Sequence, residues 1–405
     1  MYSDTELSRA LGKNNFNDLD RAFFTRLFYG VIEKKLTLDF YINRLVEKNK
    51  DIYISNILRM GIYQILYMEK VPDSAACSES VELAKKLKNK HAAGFVNAVL
   101  RNYLRKKEEL EQKLNSLNNL EIKYSCNYDI INTWEESYGL KTAEKILKAA
   151  EYMGQGFTVT VNSLKISRDE YLKKLTALGI KCEKVSEYGV DILENLPIKS
   201  LYGFFEGLFF VQDAASQFCA LELGAKKGDV ILDVCAAPGG KSLFIAQAIG
   251  GKGKIIALDL YKHRLKLIDN SADRLGIDII KTYEHNSAEP IPENILTARA
   301  DCILCDVPCS GLGTAVKKPE IKYKSLENMT SLTALQYDIL SNCSNYLKPG
   351  GTLVYSTCTL NKKENEDVVG KFLEKNVEFK LENIKTFFPF ERRTDGFFFA
   401  KMRLV

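Results

Sequence analysis

The sequence predicts a multidomain chain with three architectures in succession. These are an all-α amino-terminal bundle, a small α+β middle unit of RRM- or ferredoxin-like type, and a carboxy-terminal Rossmann-like α/β sheet. Three observations carry this reading. At 405 residues the chain exceeds what one hydrophobic core organises. Up to about residue 150 the apolar residues recur at three- and four-residue spacing. Beyond it the pattern first turns to period two and then, from Gly228, to apolar strands alternating with helices. The expected boundaries are 1–125, 126–222 and 223–405.

In the first part, residues 19–33 and 53–67 each show one apolar face, as in a bundle. Pro72, Asp73 and Ser74 read as a cap for a helix over 75–88. From Lys85 to Lys107 there are eight Lys or Arg and no Asp or Glu. A run of this kind can be a solvated face, but the lack of interleaved acids favours a surface that meets phosphates. Residues 108–119 read as a charged linker or helix, and 128–152 as two short helices.

The middle unit opens with alternation at 157–161, followed by a helix at 168–178 and strands at 180–185, 190–193 and 208–211. This β-α-β-β order fits a ferredoxin- or RRM-like unit, without a recognisable aromatic signature for stacking RNA bases. The last part gives strands at 230–234, 254–258, 279–283, 302–305 and 352–356, with a final one near 397–404. That is a doubly wound sheet with an antiparallel edge available at its end.

Composition excludes several classes. With 46% hydrophobic and 27% charged residues the chain is ordinary for a globular protein, and its apolar runs fall well short of a membrane span. Residues 1–10 are polar and acidic, unlike a signal peptide. Ten cysteines are dispersed without paired metal spacing, and no histidine lies near Cys302, Cys305 or Cys309. No metal is expected, and free thiols suit a reducing cytoplasm. A net charge of +5 is too mild to prove nucleic-acid binding.

The chemistry lies on loops that follow strands, where open α/β sheets hold their ligands. Residues 230–241, VILDVCAAPGGK, run from a strand through small residues and glycines into a helix. Glycines admit a ligand to the backbone, and the helix start offers unpaired N–H groups. The stretch is neither a Walker loop nor GxGxxG. Asp259 follows Asp233 by 26 residues at the end of the next strand, where an acid can bind both ribose hydroxyls. Together these indicate a nucleoside cofactor, and taken alone they would admit a dinucleotide enzyme. Residues 301–314, DCILCDVPCSGLGT, end a strand on Asp306 and place Cys309 three residues later. Residues 352–359, TLVYSTCT, place Cys358 just beyond another strand. A thiolate can add to an electron-poor ring carbon, and a carboxyl group can hold a ring nitrogen. These are the needs of methylation at C5 of cytosine.

These residues resemble the RNA 5-methylcytosine methyltransferases, which bind S-adenosylmethionine. Residues 58–66 (LRMGIYQIL), 72–84 and 96–101 (VNAVLR) resemble the NusB-like amino-terminal domain of bacterial Sun/RsmB-type 16S rRNA methyltransferases, and 208–217 (LFFVQDAASQ) fits their connector. The resemblance implies a class I methyltransferase domain with a seven-stranded sheet. It also implies that Cys235, Ala236, Ala237, Pro238, Gly239, Gly240 and Lys241 cradle S-adenosylmethionine, with Lys241 also near the target base. Asp259 would hold the ribose, and Asp306 would lie between cofactor and cytosine. Cys358 matches the family's nucleophile and Cys309 the cysteine that assists release. Where the family usually has an acid after the third strand this chain has His285-Asn286-Ser287, and Asn286 is placed at that position, able to hydrogen-bond but uncharged. Tyr2-Ser3 aligns after the family's first helix, so that helix is expected to be missing. The implied partner is 16S rRNA, free or in the small subunit or its precursor, with no membrane, and a monomer is expected. Competing readings are attack by Cys309 in place of Cys358, action on another RNA such as tRNA, and an RNA-binding or antitermination factor without catalysis.

Overall fold

The structure, a computed structural model, describes residues 3–47, 51–88, 90–153 and 156–405. Tyr2, part of the reading of the amino terminus, lies outside them. The chain divides into two compact units, residues 1–136 with 318–325, and residues 137–317 with 326–405. Among the described residues no helix is long and apolar enough to cross a membrane.

The first unit is helical. Its core is formed by one face each of helices Lys35–Leu45, Ile52–Tyr67, Asp73–Leu87 and Lys90–Asn115, with Leu38, Leu58, Ile62, Val96, Leu100 and Tyr103 fully buried. The side chain of Asp51 starts Ile52–Tyr67 by accepting from Tyr53 N at 2.8 Å. The expected cap at 72–74 is corrected. The helix begins at Asp73, Pro72 is its N-cap without a side-chain bond, and the Pro72 carbonyl accepts from Ala75 N at 2.9 Å. Proline suits this place because an N–H there would have no partner. Of the two readings of 108–119, linker or helix, the helix holds up to residue 115: Lys90–Asn115 continues through it, held by Leu110 in the core. Lys85 and Lys88 of the basic stretch meet acids from outside it, Glu82 at 3.5 Å and Asp51 at 3.0 Å.

In the second unit, strands β1 (Phe157–Val161), β2 (Cys182–Lys184), β3 (Gly189–Ile192) and β4 (Phe209–Val211) form an antiparallel sheet in the order β2-β3-β1-β4. The helix Arg168–Ala177 crosses between β1 and β2, starting at a capping box of Ser167 and Glu170. This is the ferredoxin-like strand order, with a short 3₁₀ turn, Ile198–Ser200, in the connection from β3 to β4. The expected strand at 180–185 shrinks to three residues, since β2 is an edge strand pairing only with β3.

The larger sheet contains β5 (Val230–Val234), β6 (Lys254–Asp259), β7 (Ile280–Glu284), β8 (Ala300–Asp306), β9 (Leu347–Thr357), β10 (Phe379–Phe387) and β11 (Phe397–Leu404), in the order β10-β11-β9-β8-β5-β6-β7. Strands β5 to β9 run parallel, while β11 pairs antiparallel with β9 and β10. Period-two alternation sorts the central strands onto two cores. Leu232, Val234, Cys305 and Tyr355 face one side, and Ile231, Cys302, Leu304 and Val354 the other. β10 was missed by the sequence reading because most of its length is exposed and polar.

Candidate active site

Five strand ends meet on one rim. Asp259 closes β6, Asp306 closes β8, and Cys358 follows β9 directly; β5 and β7 lead into the turns that carry Cys235 and Asn286. The pairing of Asp306 with Ser356 fixes how the β8 and β9 loops face one another. Cys309 lies three residues beyond that pair and Cys358 two, and their sulfurs come to 3.3 Å. The loops are stitched further by Gly313 N to Cys358 O at 3.1 Å and Gly396 N to Gly313 O at 2.8 Å. Gly313 is obligatory, because a Cβ there would stand 1.8 Å from Gly396 O and 2.9 Å from Cys358 O.

Asp306 accepts from Lys241 Nζ through Oδ2 at 2.7 Å and from Ser356 Oγ through Oδ1 at 2.8 Å. Lys241 stands in the first turn of the helix Gly240–Ala248, with its ammonium over the Phe397 ring. The thiols differ. The hydrogen bond with Cys309 holds the Cys358 thiol below its ordinary value against burial, with Lys241 assisting. Cys309, bonded to Cys358 and buried, is pushed well above it, with Glu364 and Asp306 adding to the rise. Of the two sulfurs, Cys358 is the one biased toward the thiolate.

The turn from 235 to 239 bends through two left-handed residues, Cys235 at φ 60 and Gly239 at φ 102. A side chain at Gly239 would press on Ile268 at 3.0 Å. The Cys235 thiol packs against the core, so only its backbone faces the turn. Asp259 is 1% exposed and accepts from Ala237 N at 3.2 Å, from Tyr261 N at 3.2 Å and from Arg264 Nη1 at 3.3 Å. Asn286 sits on the same rim, since His285 N bonds Asp259 O at 3.0 Å, but its amide is engaged by Glu289 at 2.8 Å. Two buried polar atoms flank the turn without a partner, Asp233 Oδ1 and Gln212 Nε2, and the latter lies 3.6 Å from where a Cβ on Gly240 would be. A small-residue cradle with a helix start and spare hydrogen-bonding atoms fits a polar nucleoside cofactor.

The sequence reading passed over Ser356, Arg264 and Gln212. Ser356 was detectable, two residues before Cys358 and therefore on the same strand face. Arg264, five residues past Asp259, and Gln212 had no local signal.

The sheet order and the glycine turn after its first strand define a class I methyltransferase fold, joined to a ferredoxin-like unit and a helical domain. Family models match accordingly: the 16S rRNA methyltransferase RsmB/F model over residues 220–403, the ferredoxin-like domain of RsmF/B-like methyltransferases over 130–199, and the NusB family over 1–105. The probable ribosomal RNA small subunit methyltransferase B of Bacillus subtilis is 35% identical, covering 99% of this chain and 94% of its own length. The ribosomal RNA small subunit methyltransferase B of Escherichia coli O1:K1 is 31% identical over 95% of this chain and 91% of its own. The crystal structure of PH0851 superposes with a TM-score of 0.82 at 25% identity, covering 98% of this chain and 93% of that one. The chain belongs to the RsmB/F family of methyltransferases.

Proposed function

We propose that this chain methylates C5 of a cytosine in 16S rRNA with S-adenosylmethionine as donor, Cys358 being the nucleophile and Cys309 the residue that assists release. The observation that carries it is the pair of sulfurs 3.3 Å apart beside the Lys241–Asp306 ion pair on one sheet rim. The kinship with ribosomal RNA methyltransferases supports the substrate class.

The backbone from Cys235 through Ala236, Ala237, Pro238, Gly239 and Gly240 to Lys241 would hold the methionine part of the cofactor. Asp259 would take the ribose hydroxyls in exchange for Arg264, whose side chain is 41% exposed and also donates to Ala237 O at 2.6 Å. Asn286 would serve the adenine end after releasing Glu289. When bound, S-adenosylmethionine supplies an electrophilic methyl group. The cytosine leaves its stack to reach the rim. The Cys358 thiolate forms a bond to C6 and drives the electron pair to C5, while Asp306 holds the N3 edge. Once C5 carries the methyl group, a base takes the C5 proton, the C5–H electron pair re-forms the C5–C6 double bond, the S–C6 bond breaks and Cys358 returns as thiolate, with Cys309 beside it. A free thiol near pKa 8.5 is mostly protonated at neutral pH. Cys309 and Lys241 therefore perform the activation.

Mass mapping of 5-methylcytosine in small-subunit rRNA, from cells with and without this gene, tests the proposal. Loss of one methylated cytosine is expected. An unchanged rRNA map refutes it, and a loss confined to tRNA reassigns the substrate.

A further inference from the structure

Glu364 is completely buried, yet the chemistry above makes no use of it. Its Oε2 accepts from Ser310 N at 2.8 Å and Gln336 Nε2 at 3.0 Å. Its Oε1 accepts from Ser310 Oγ at 2.5 Å, Asn361 Nδ2 at 3.0 Å and Thr359 Oγ1 at 3.5 Å. Ser310 is the neighbour of Cys309 and Thr359 the neighbour of Cys358, and their hydroxyls also meet each other at 2.7 Å. One carboxylate thus ties together the two loops that bear the thiols. The next residue, Asn365, completes the clamp by accepting from Thr357 Oγ1 at 2.6 Å and donating to Thr359 O at 3.0 Å. Among the described residues all of Glu364's hydrogen-bond partners are neutral donors, and none is a cation.

We propose that Glu364 is a positioning residue that holds the two thiol loops in contact and keeps the proton of the sulfur pair on Cys309. A buried carboxylate acts at long range in low dielectric, and Glu364 is bonded more closely to Ser310, the neighbour of Cys309, at 2.5 and 2.8 Å than to Thr359, the neighbour of Cys358, at 3.5 Å. The charged and titratable groups facing the pair divide accordingly. Lys241, from the helix Gly240–Ala248, bears on Cys358, as does Asp395 from the turn before β11. Glu364 bears on Cys309, Tyr355 of β9 lies close to Cys309 and Glu364, and Asp306 at the end of β8 opposes the thiolate form of both. The inference deepens the proposed reaction and rests on it only for the consequence to turnover.

The test is site-resolved alkylation of the full-length protein by iodoacetamide across pH, read by peptide mass spectrometry, in wild type, Glu364→Gln and Ser310→Ala. In Glu364→Gln the Cys309 midpoint should fall by roughly one pH unit and the contrast between the thiols should narrow. The kcat should drop roughly tenfold or more with KM for RNA little changed, because displacing a reacting group by about 1 Å costs up to about 100-fold. Ser310→Ala, which removes only the hydroxyl bridge, should shift the same way to a smaller extent. Superposable thiol profiles in a variant that melts and binds S-adenosylmethionine like wild type overturn the proposal, as does unfolding of both variants, which would make Glu364 merely structural. The alkylation needs no RNA, so a covalent RNA adduct of the wild-type protein mapped separately to Cys309 would defeat the assignment of Cys358 as nucleophile while leaving Glu364 to be judged on its own profiles.

Discussion

Lys241 Nζ lies 2.7 Å from Asp306 Oδ2 and 4.9 Å from the centre of the Phe397 ring, an ammonium enclosed by a carboxylate and an aromatic face. Burial alone would depress this lysine. The Asp306 charge and hydrogen bond reverse that and hold it above its ordinary value, so it stays a cation at any working pH. Its charge reaches past Asp306 to Cys358.

Lys241→Met should therefore move the alkylation midpoint of Cys358 upward and slow methyl transfer. The sign follows from the loss of a cation that favours the thiolate. Alkylation against pH with and without S-adenosylmethionine separates two sources of positive charge. If the sulfonium also contributes, the bound cofactor lowers the midpoint in wild type and partly restores it in the variant. A Cys358 profile unmoved by the substitution would exclude Lys241 from the activation.

Exchange of the thiols divides the two possible nucleophiles. Cys358→Ala should abolish the covalent RNA adduct seen on denaturing gels, and Cys309→Ala should accumulate it, because the adduct forms but is released slowly. The reverse pattern hands the attack to Cys309. Either substitution also removes one half of the hydrogen-bonded pair, so the Cys358 thiol should rise in Cys309→Ala and the Cys309 thiol should fall in Cys358→Ala.

How far the sequence foretold this rim depends on whether a residue's role is local. Asp306, Cys309 and Cys358 announce themselves because a buried apolar strand ending on an acid or just before a thiol is legible in a few consecutive residues. The same holds for the turn after β5. Glu364 gave no such sign: its partners Ser310 and Gln336 lie 54 and 28 residues away, and the pairing of β8 with β9 is what brings the Ser310 loop to it. Likewise the basic stretch looked unpaired along the chain, yet Lys88 finds Asp51 across the bundle. β10 escaped because most of this edge strand is exposed, and its polar residues, such as Glu382 paired with Lys401 and Arg403, leave no apolar alternation.

Gly313→Ala offers a steric test of the loop packing. The added methyl would overlap the Gly396 carbonyl, and both partners are backbone atoms that cannot rotate away. Overpacking of this kind costs about 1–3 kcal/mol. The melting temperature should fall by several degrees, roughly 2–4 °C per kcal/mol for a domain of this size. Since Gly313 N also bonds Cys358 O, methyl transfer should fall more steeply than stability, measured at a temperature where the variant is fully folded. Wild-type turnover in the folded variant would show that the contact with the Cys358 loop is dispensable.

Asp233 on β5 gives the pH dependence of stability a definite sign. It is buried, its Oδ2 accepts from Ser242 Oγ, and its Oδ1 has no partner. Burial pushes its carboxyl from 3.8 up to about 7; the Ser242 hydrogen bond and Lys241 work against the rise and the Asp306 and Asp259 charges add to it. Below about pH 4 the folded and unfolded chains both carry this proton, and it has no effect on their balance. Between about pH 4 and 7 the folded chain keeps a proton that the unfolded chain has released, so this group's contribution to stability is lost as pH rises through that window and is constant above it. Asp233→Asn, nearly the same shape and uncharged, removes the dependence. The melting temperature of the variant relative to wild type should climb between about pH 4.5 and 7.5 and then level off. A difference that stays flat across the range would mean that Asp233 is ionised in the folded protein throughout, its charge met by Ser242 and Lys241.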